Sequence, residues 1–278
     1  MSQPTKRALR LRRMIQKVRS AVGSDTTIDA GAASLGAALG MVSGPGGSVL
    51  AAAATVSLAN LTRHLTHREE RRLVQLTEST ALQILQRIAA GSEPRTDVDP
   101  EEAKSLVEGI LLQARNSYEE KKVPLLANLL ATAPFPGTPV ANLIAPLALI
   151  ERLSYRQICL LALIPGYDPN DYPPLTDGTL GDVQAAHPVG EFAEGVLADL
   201  TELIRLGLVV PTVNRVIQEI PDGQVRPKFL RLTYPSRLLA NGARLRQTIP
   251  EADVAEIRDL LSHPTPGERM RHPPIATR

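Results

Sequence analysis

The chain has 278 residues, 43% of them apolar and 22% charged, with a formal charge of +2. That is enough apolar mass for one large or two small packed domains and too much for wholesale disorder. Aromatic residues make up 3%, with no Trp, and there is a single cysteine, Cys159. This argues against base-stacking platforms and aromatic sugar sites, and it excludes an internal disulfide framework or a Cys-based zinc cluster.

Lys6, Arg7, Arg10, Arg12, Arg13, Lys17 and Arg19 place seven positive charges before the first acid, Asp25. Ala8, Leu11, Ile15 and Val18 recur at spacings of three and four, so residues 1–27 are expected to form a basic amphipathic helix. Such a helix suits an anionic lipid surface, each nearby basic residue contributing roughly 1 kcal/mol. Lys6, Arg7, Arg10, Arg13 and Lys17 are the candidate lipid contacts, and a solvated N-terminal helix is the plainer alternative. A secretory signal is not indicated, because no strongly apolar core with a cleavage site follows the basic part.

From Ala30 to Thr62 the sequence carries no charge and is built mostly of Ala, Gly, Ser, Leu and Val. Ala32, Gly36, Gly40 and Gly44 fall four apart, which places them on one helix face as a side-chain-free groove. Gly44-Pro45-Gly46-Gly47 is a turn signal, and Ser48 is placed to cap a second helix that opens with Val49 and Leu50. The expectation is a small-residue helical hairpin, with Ala32, Gly36, Gly40, Gly44 and Leu50 at a membrane or oligomer interface. Both halves are shorter than the roughly twenty apolar residues of a spanning helix. Two readings follow: conditional membrane insertion after oligomerisation, or a packed hairpin within or between soluble protomers.

From Leu61 an amphipathic pattern begins, with Leu65, Leu73, Leu76, Leu82, Leu85 and Ile88 apolar and Glu69, Glu70, Arg71 and Arg72 on the wet side. It is expected to continue the hairpin as one long arm ending near Ala90-Gly91, so residues 28–92 form one segment. His64 and His67 lie three apart without an identifiable third ligand, and are read as solvated. Residues 91–97 read as a linker.

Asp99 is an N-cap with Pro100 at the first helical position and Glu101 and Glu102 in the first turn. Leu106, Ile110, Leu111 and Ala114 supply its apolar face. Pro124 starts a further helix, another runs through Leu143 to Leu153, and Ser154 caps the next, with Cys159 buried beside Ile158 and Leu161. Residues 99–164 are thus expected to form a central helical bundle. The run Ser117-Tyr118-Glu119-Glu120-Lys121-Lys122-Val123-Pro124-Leu125-Leu126-Ala127-Asn128-Leu129-Leu130, followed by Leu153-Ser154-Tyr155-Arg156-Gln157-Ile158-Cys159-Leu160-Leu161, resembles a motif pair in bacterial proteins of the abortive-infection alpha type. The resemblance spans about residues 100–165 and implies a role in phage defence. It carries no catalytic residues.

Residues 165–189 read as a long Pro- and Gly-rich connection, a length that often binds something, so a protein partner is expected there. A helix from Glu191 to Leu206 ends at Gly207. Val213, Val216, Ile217 and Ile220, the turn Pro221-Asp222-Gly223 and a return strand through Phe229 to Leu232 suggest a β-hairpin, followed by helix from Pro235 to Arg246. Residues 165–262 are therefore similar to a winged helix, with 263–278 expected as a disordered tail. The helix that would enter DNA carries Glu191, Glu194, Asp199 and Glu202 against Arg205, which repels phosphates. The wing offers Arg215, Arg226, Lys228 and Arg231 for backbone contacts only, so nucleic acid is not the favoured partner.

No P-loop, GxSxG, HExxH or metal-spaced His and Cys cluster is present in the sequence, and no cofactor is expected. The fold class read from the sequence is mainly α, with a small winged-helix-like α+β region at the C-terminal end. The functional reading is a non-enzymatic, membrane-active effector of phage defence, cytoplasmic or associated with the inner membrane and forming a homo-oligomer. The alternatives are a soluble helical scaffold whose glycine zipper is an oligomer interface, and a winged-helix regulator that binds DNA.

Overall fold

The computed structural model describes residues 28–40, 45–61, 65–165, 175, 178–186, 191–213, 216–217 and 225–262. The basic helix expected at 1–27, Gly44, Arg215, the turn at 221–223, the tail at 263–278 and most of the 165–189 connection lie outside the described residues. The described chain is mainly helical and divides into two compact units, one running to Arg152 and including Asn241–Arg244, the other comprising Leu153–Ala240 and the residues from Leu245 onward. The boundary at Arg152/Leu153 lies upstream of the expected one at 164/165. The helix that follows Ser154 packs against helices from the C-terminal part, and so belongs with them.

In the first unit, α1 (Ile28–Gly40), α2 (Pro45–Leu61), α3 (His67–Ala89) and α4 (Pro100–Asn116) pack as neighbours, α1 against α2 and α3, α2 and α3 against α4. α5 (Val123–Thr132) packs on α3 and α4, and α6 (Ile144–Arg152) on α4 and α5. The segment expected as 28–92 therefore shares one core with residues 100–152 of the segment expected as 99–164. On α1, Ile28, Gly31, Leu35, Ala38 and Leu39 are buried; on α2, Leu50, Ala53, Ala54, Ser57 and Leu58 are. Each set follows the three-and-four spacing of one helix face. Leu73, Leu76, Ile84, Leu85, Leu106, Ile110 and Leu111 complete the core from α3 and α4, all fully buried.

The long arm expected from Leu61 onward is broken. α2 stops at Leu61 and α3 starts afresh at His67 behind Thr66, whose hydroxyl accepts from Glu69 N while the Glu69 carboxylate accepts from Thr66 N. This reciprocal capping box satisfies donors that a continuous helix would have paired internally. Leu65, in phase with the apolar stripe, lies outside the helix. The expected caps at Asp99 and Ser154 are present, Asp99 accepting from Glu101 N and Glu102 N and Ser154 forming a capping box with Gln157. The 91–97 linker is pinned: Arg95 donates to Phe135 O and Thr138 O, and its own amide to Pro134 O.

In the second unit, α7 (Tyr155–Leu163) packs against α9 (Glu191–Arg205), α11 (Leu245–Thr248) and α12 (Glu251–Ser262). Part of the expected 165–189 connection is helical: α8 (Leu180–Ala186) follows Thr179, which exchanges hydrogen bonds with Asp182 in the manner of a capping box. The sheet has β1 (Val209–Val213) at its centre, antiparallel to both β2 (Val216–Ile217) and β3 (Leu230–Leu232). The return strand β3 pairs with Val209-Val210-Pro211, which follow Gly207 and Leu208, while β2 pairs with Thr212 and Val213 at the far end of β1. Gly207, at φ 66°, lets the chain leave α9 and turn into β1 at once. The helix expected over 235–246 is two, α10 (Tyr234–Gly242) and α11, separated at Arg244, which adopts φ 49°. α12, introduced by Pro250 and an acidic first turn, is a further helix.

At Gly31 α1 lies close against α3. A Cβ there would collide with the Thr77 hydroxyl, and Thr77 is fully buried and bonded to Leu73 O and Val74 O. Gly36 and Gly40 have open space at the same position. Gly31→Ala is expected to destabilise the protein by about 1–3 kcal/mol, whereas Gly36→Ala is expected to stabilise it by about 0.5–1 kcal/mol through helix propensity. Urea melts of the two variants check the opposite signs.

Candidate interaction surface

The charge-free stretch folds into two helices that each turn one face outward. On α1 the outer side carries Ala33, Ala37 and Gly40, exposed, with Ala32 and Gly36 half-buried beside them. On α2 it carries Ser48, Ala52, Thr55, Val56, Ala59 and Asn60, with Val56 55% exposed. Asp29 is the one charged residue among the described residues of these helices. Soluble surfaces ordinarily carry about 25–35% charged residues, so this face is unusual for its lack of them. Of the residues expected at an interface, Ala32, Gly36 and Gly40 lie on or at the edge of the outer face; Leu50 is fully buried in the first unit and Gly44 lies outside the described residues. Among the described residues, nothing lies within 4 Å of a Cβ built at Gly36 or Gly40. Among the described residues, no helix is long and apolar enough to cross a membrane.

What holds this platform in place is a polar clasp between α3 and α4. Arg72, expected on the wet side, is 7% exposed. It donates to Ser117 O and, at 2.7 Å, to Arg115 O, which are carbonyls at the C-terminal end of α4. A guanidinium there satisfies orphan acceptors and meets the negative end of the helix dipole. Glu69 accepts from Arg115 Nε at 3.0 Å while it caps α3, and Arg68 pairs with Glu120 at 3.0 Å. Lys122, buried, pairs with Glu119 at 2.6 Å. Residues Ser117 to Lys122 therefore supply backbone and ion-pair contacts that fix helix ends. At the other end of α3, Arg87 is buried against the Phe135 ring, 5.5 Å from its centroid, and donates to Thr132 Oγ1; burial and the nearby Arg244 pull its pKa down to about 10.

Of the four expected nucleic-acid contacts, three are among the described residues. Arg226 and Lys228 are exposed, but Arg231 is half-buried and donates to Lys228 O and Leu230 O, and Arg215 lies outside the described residues. On α9, Glu191 and Glu194 face solvent, while Asp199 is held by Arg156 at 2.5 Å and by Gln157. Arg156 lies close over α9 at Gly195, where a Cβ would come within 2.8 Å of the guanidinium. Cys159 is 1% exposed. His67 is exposed, 3.9 Å from Glu70, and His64 lies outside the described residues.

Compared with known protein families, curated proteins and solved structures, the chain shows no significant match.

Glu69 has an ordinary pKa of 4.5 that is pulled to about 2, first by the Thr66 backbone amide, then by the Thr66 hydroxyl and Arg115. A carboxylate whose folded pKa is depressed adds stability that is complete above its unfolded pKa and disappears as pH falls through the folded one. The stability difference between wild type and Glu69→Gln is therefore expected to be constant at neutral pH and to shrink between about pH 4.5 and 2. Urea titrations of both proteins across that range measure it.

Proposed function

We propose that this protein is a non-enzymatic helical scaffold that self-associates through the outer face of α1 and α2. The observation that carries the reading is the combination of an exposed, almost charge-free face with open glycine positions on a helix whose opposite side is locked into the core. An exposed helix face of small residues almost without charge is a candidate for contact with a partner. Small residues let two backbones approach closely, and a patch that contacts its own copy across a two-fold axis needs no second surface. The resemblance of residues 100–165 to abortive-infection alpha-type proteins supports phage defence as the setting for such a scaffold.

Conditional insertion into an anionic membrane is the second reading, favoured by the basic residues Lys6, Arg7, Arg10, Arg13 and Lys17. It ranks behind because Leu35, Leu39, Leu50 and Leu58 would leave the core of the first unit, each at a cost of about 1.5–3 kcal/mol. In the second unit, α9 followed by β1 and the β1–β3 pair is read as winged-helix-like, with Glu191 and Glu194 on the helix favouring protein over DNA as its partner.

Sedimentation velocity of the full chain and of the Gly36→Glu/Gly40→Glu variant, alongside flotation on phosphatidylglycerol vesicles, tests the proposal. The wild type is expected to sediment as a dimer or larger species and the variant as a folded monomer with a cooperative thermal melt. A monomeric wild type that floats with the vesicles would transfer the face to the membrane reading, and a monomer that does not float would overturn both.

A further inference from the structure

Of the large aliphatic side chains exposed among the described residues, Val56 lies on the outer face of α2. The other two, Leu112 and Ile144, flank a single helix contact in the first unit. That contact joins α4 to α6, where a Cβ at Gly109 would come within 2.7 Å of Leu147 Cδ2. Leu112 lies one turn from Gly109 and is 44% exposed, and Ile144 lies one turn from Leu147 and is 43% exposed. On α4, Glu101, Ser105, Glu108 and Leu112 follow a four-three-four spacing and form one row; on α6, Ile144, Leu147 and Glu151 form another. Glu101, Glu108 and Glu151 have no ion-pair partner among the described residues. Lys104 and Arg152, also exposed, lie off both rows. The α4–α6 seam is therefore aliphatic with an acidic border.

We propose that this seam is the docking surface for the chain's own N-terminal segment, residues 1–27. Charge and pattern both match. The segment carries seven Lys and Arg residues before its first acid, Asp25, and Leu11, Ile15 and Val18 recur at four and three. That is the anchor spacing of a peptide seated in an apolar groove. Leu11, Ile15 and Val18 cover Leu112, Leu147 and Ile144, while the flanking cations meet Glu101, Glu108 and Glu151. The outer face of α1 and α2 offers those cations little, since Asp29 is the one charged residue among the described residues of these helices. The reach is sufficient. Nine residues separate Val18 from Ile28, the buried first residue of α1, enough for about 30 Å of extended chain. Packed helices lie only about 8–10 Å apart. The inference is independent of self-association, which uses α1 and α2, and it makes the seam a competitor of anionic lipid for the same cations.

Limited trypsin digestion of the full chain, set against a synthetic peptide of residues 1–27, tests the proposal, because a docked segment must leave the seam before it is cut. Cleavage between Lys6 and Arg19 is expected to be about tenfold slower in the chain than in the peptide, which reads the ratio of docked to free segment. In the Glu108→Lys/Leu112→Asn variant one position is half-buried and the other exposed. It is expected to melt cooperatively and to be cut at close to the peptide rate. The comparison of wild type with peptide needs no variant, so it stands even where the double substitution unfolds. Equal rates for wild type and peptide, or a folded variant as protected as wild type, would each overturn the proposal. So would protection that disappears on dilution, which would assign the seam to a neighbouring copy.

Discussion

The interior placement of Leu35, Leu39, Leu50 and Leu58 is the constraint on which the rest of the account depends. A helix has one circumference, and the charge-free stretch supplies few large side chains. Once those few are turned into the first unit, only Ala, Gly, Ser, Thr, Asn and a single Val are left to face outward along most of α1 and α2. The bare outer face and the locked inner face are thus two consequences of one packing decision. A surface made this way is poor in charge and in large side chains, which suits close approach of a second backbone.

That platform is held by helix ends. α3 cannot drift relative to α4, because Arg72 closes the last carbonyls of α4 from within the core while Glu69 both caps α3 and pairs with Arg115. Leaving such buried groups unpaired is costly, typically about 1–3 kcal/mol for each orphaned donor or acceptor. The same logic recurs in the second unit, where Ser154, Gln157, Arg156 and Asp199 tie the start of α7 to α9. In both places the charged residues serve architecture.

Local signals were legible in the sequence, and non-local ones were not. The caps at Asp99 and Ser154 and the stop at Gly207 follow from residue type and position, and the structure has them. The Thr66–Glu69 capping box was equally readable, but Leu65 continued the apolar period across it and disguised the break. Arg72 looked solvated beside Glu70 and Arg71, because nothing near it in sequence shows that the end of α4 would lie against it. The glycines are the most instructive case. Gly31, Leu35 and Leu39 are four apart, as are Ala32, Gly36 and Gly40, and only the leucines on the first series distinguish the buried face from the open one. The strand pairing of Val209-Val210-Pro211 with β3 was hidden because the β-branched density lay further on, whereas Gly207 decided where the strand began.

The most direct test of the central claim uses the lone cysteine. With Cys159 replaced by Ser, a single cysteine is placed at Ala33 on the outer face of α1, or at Lys104 on the exposed side of α4 as a control, and the full chain is oxidised at low concentration. Self-association through α1 and α2 predicts a disulfide-linked dimer from Ala33→Cys and almost none from Lys104→Cys. Equal, background-level cross-linking at both positions would contradict it.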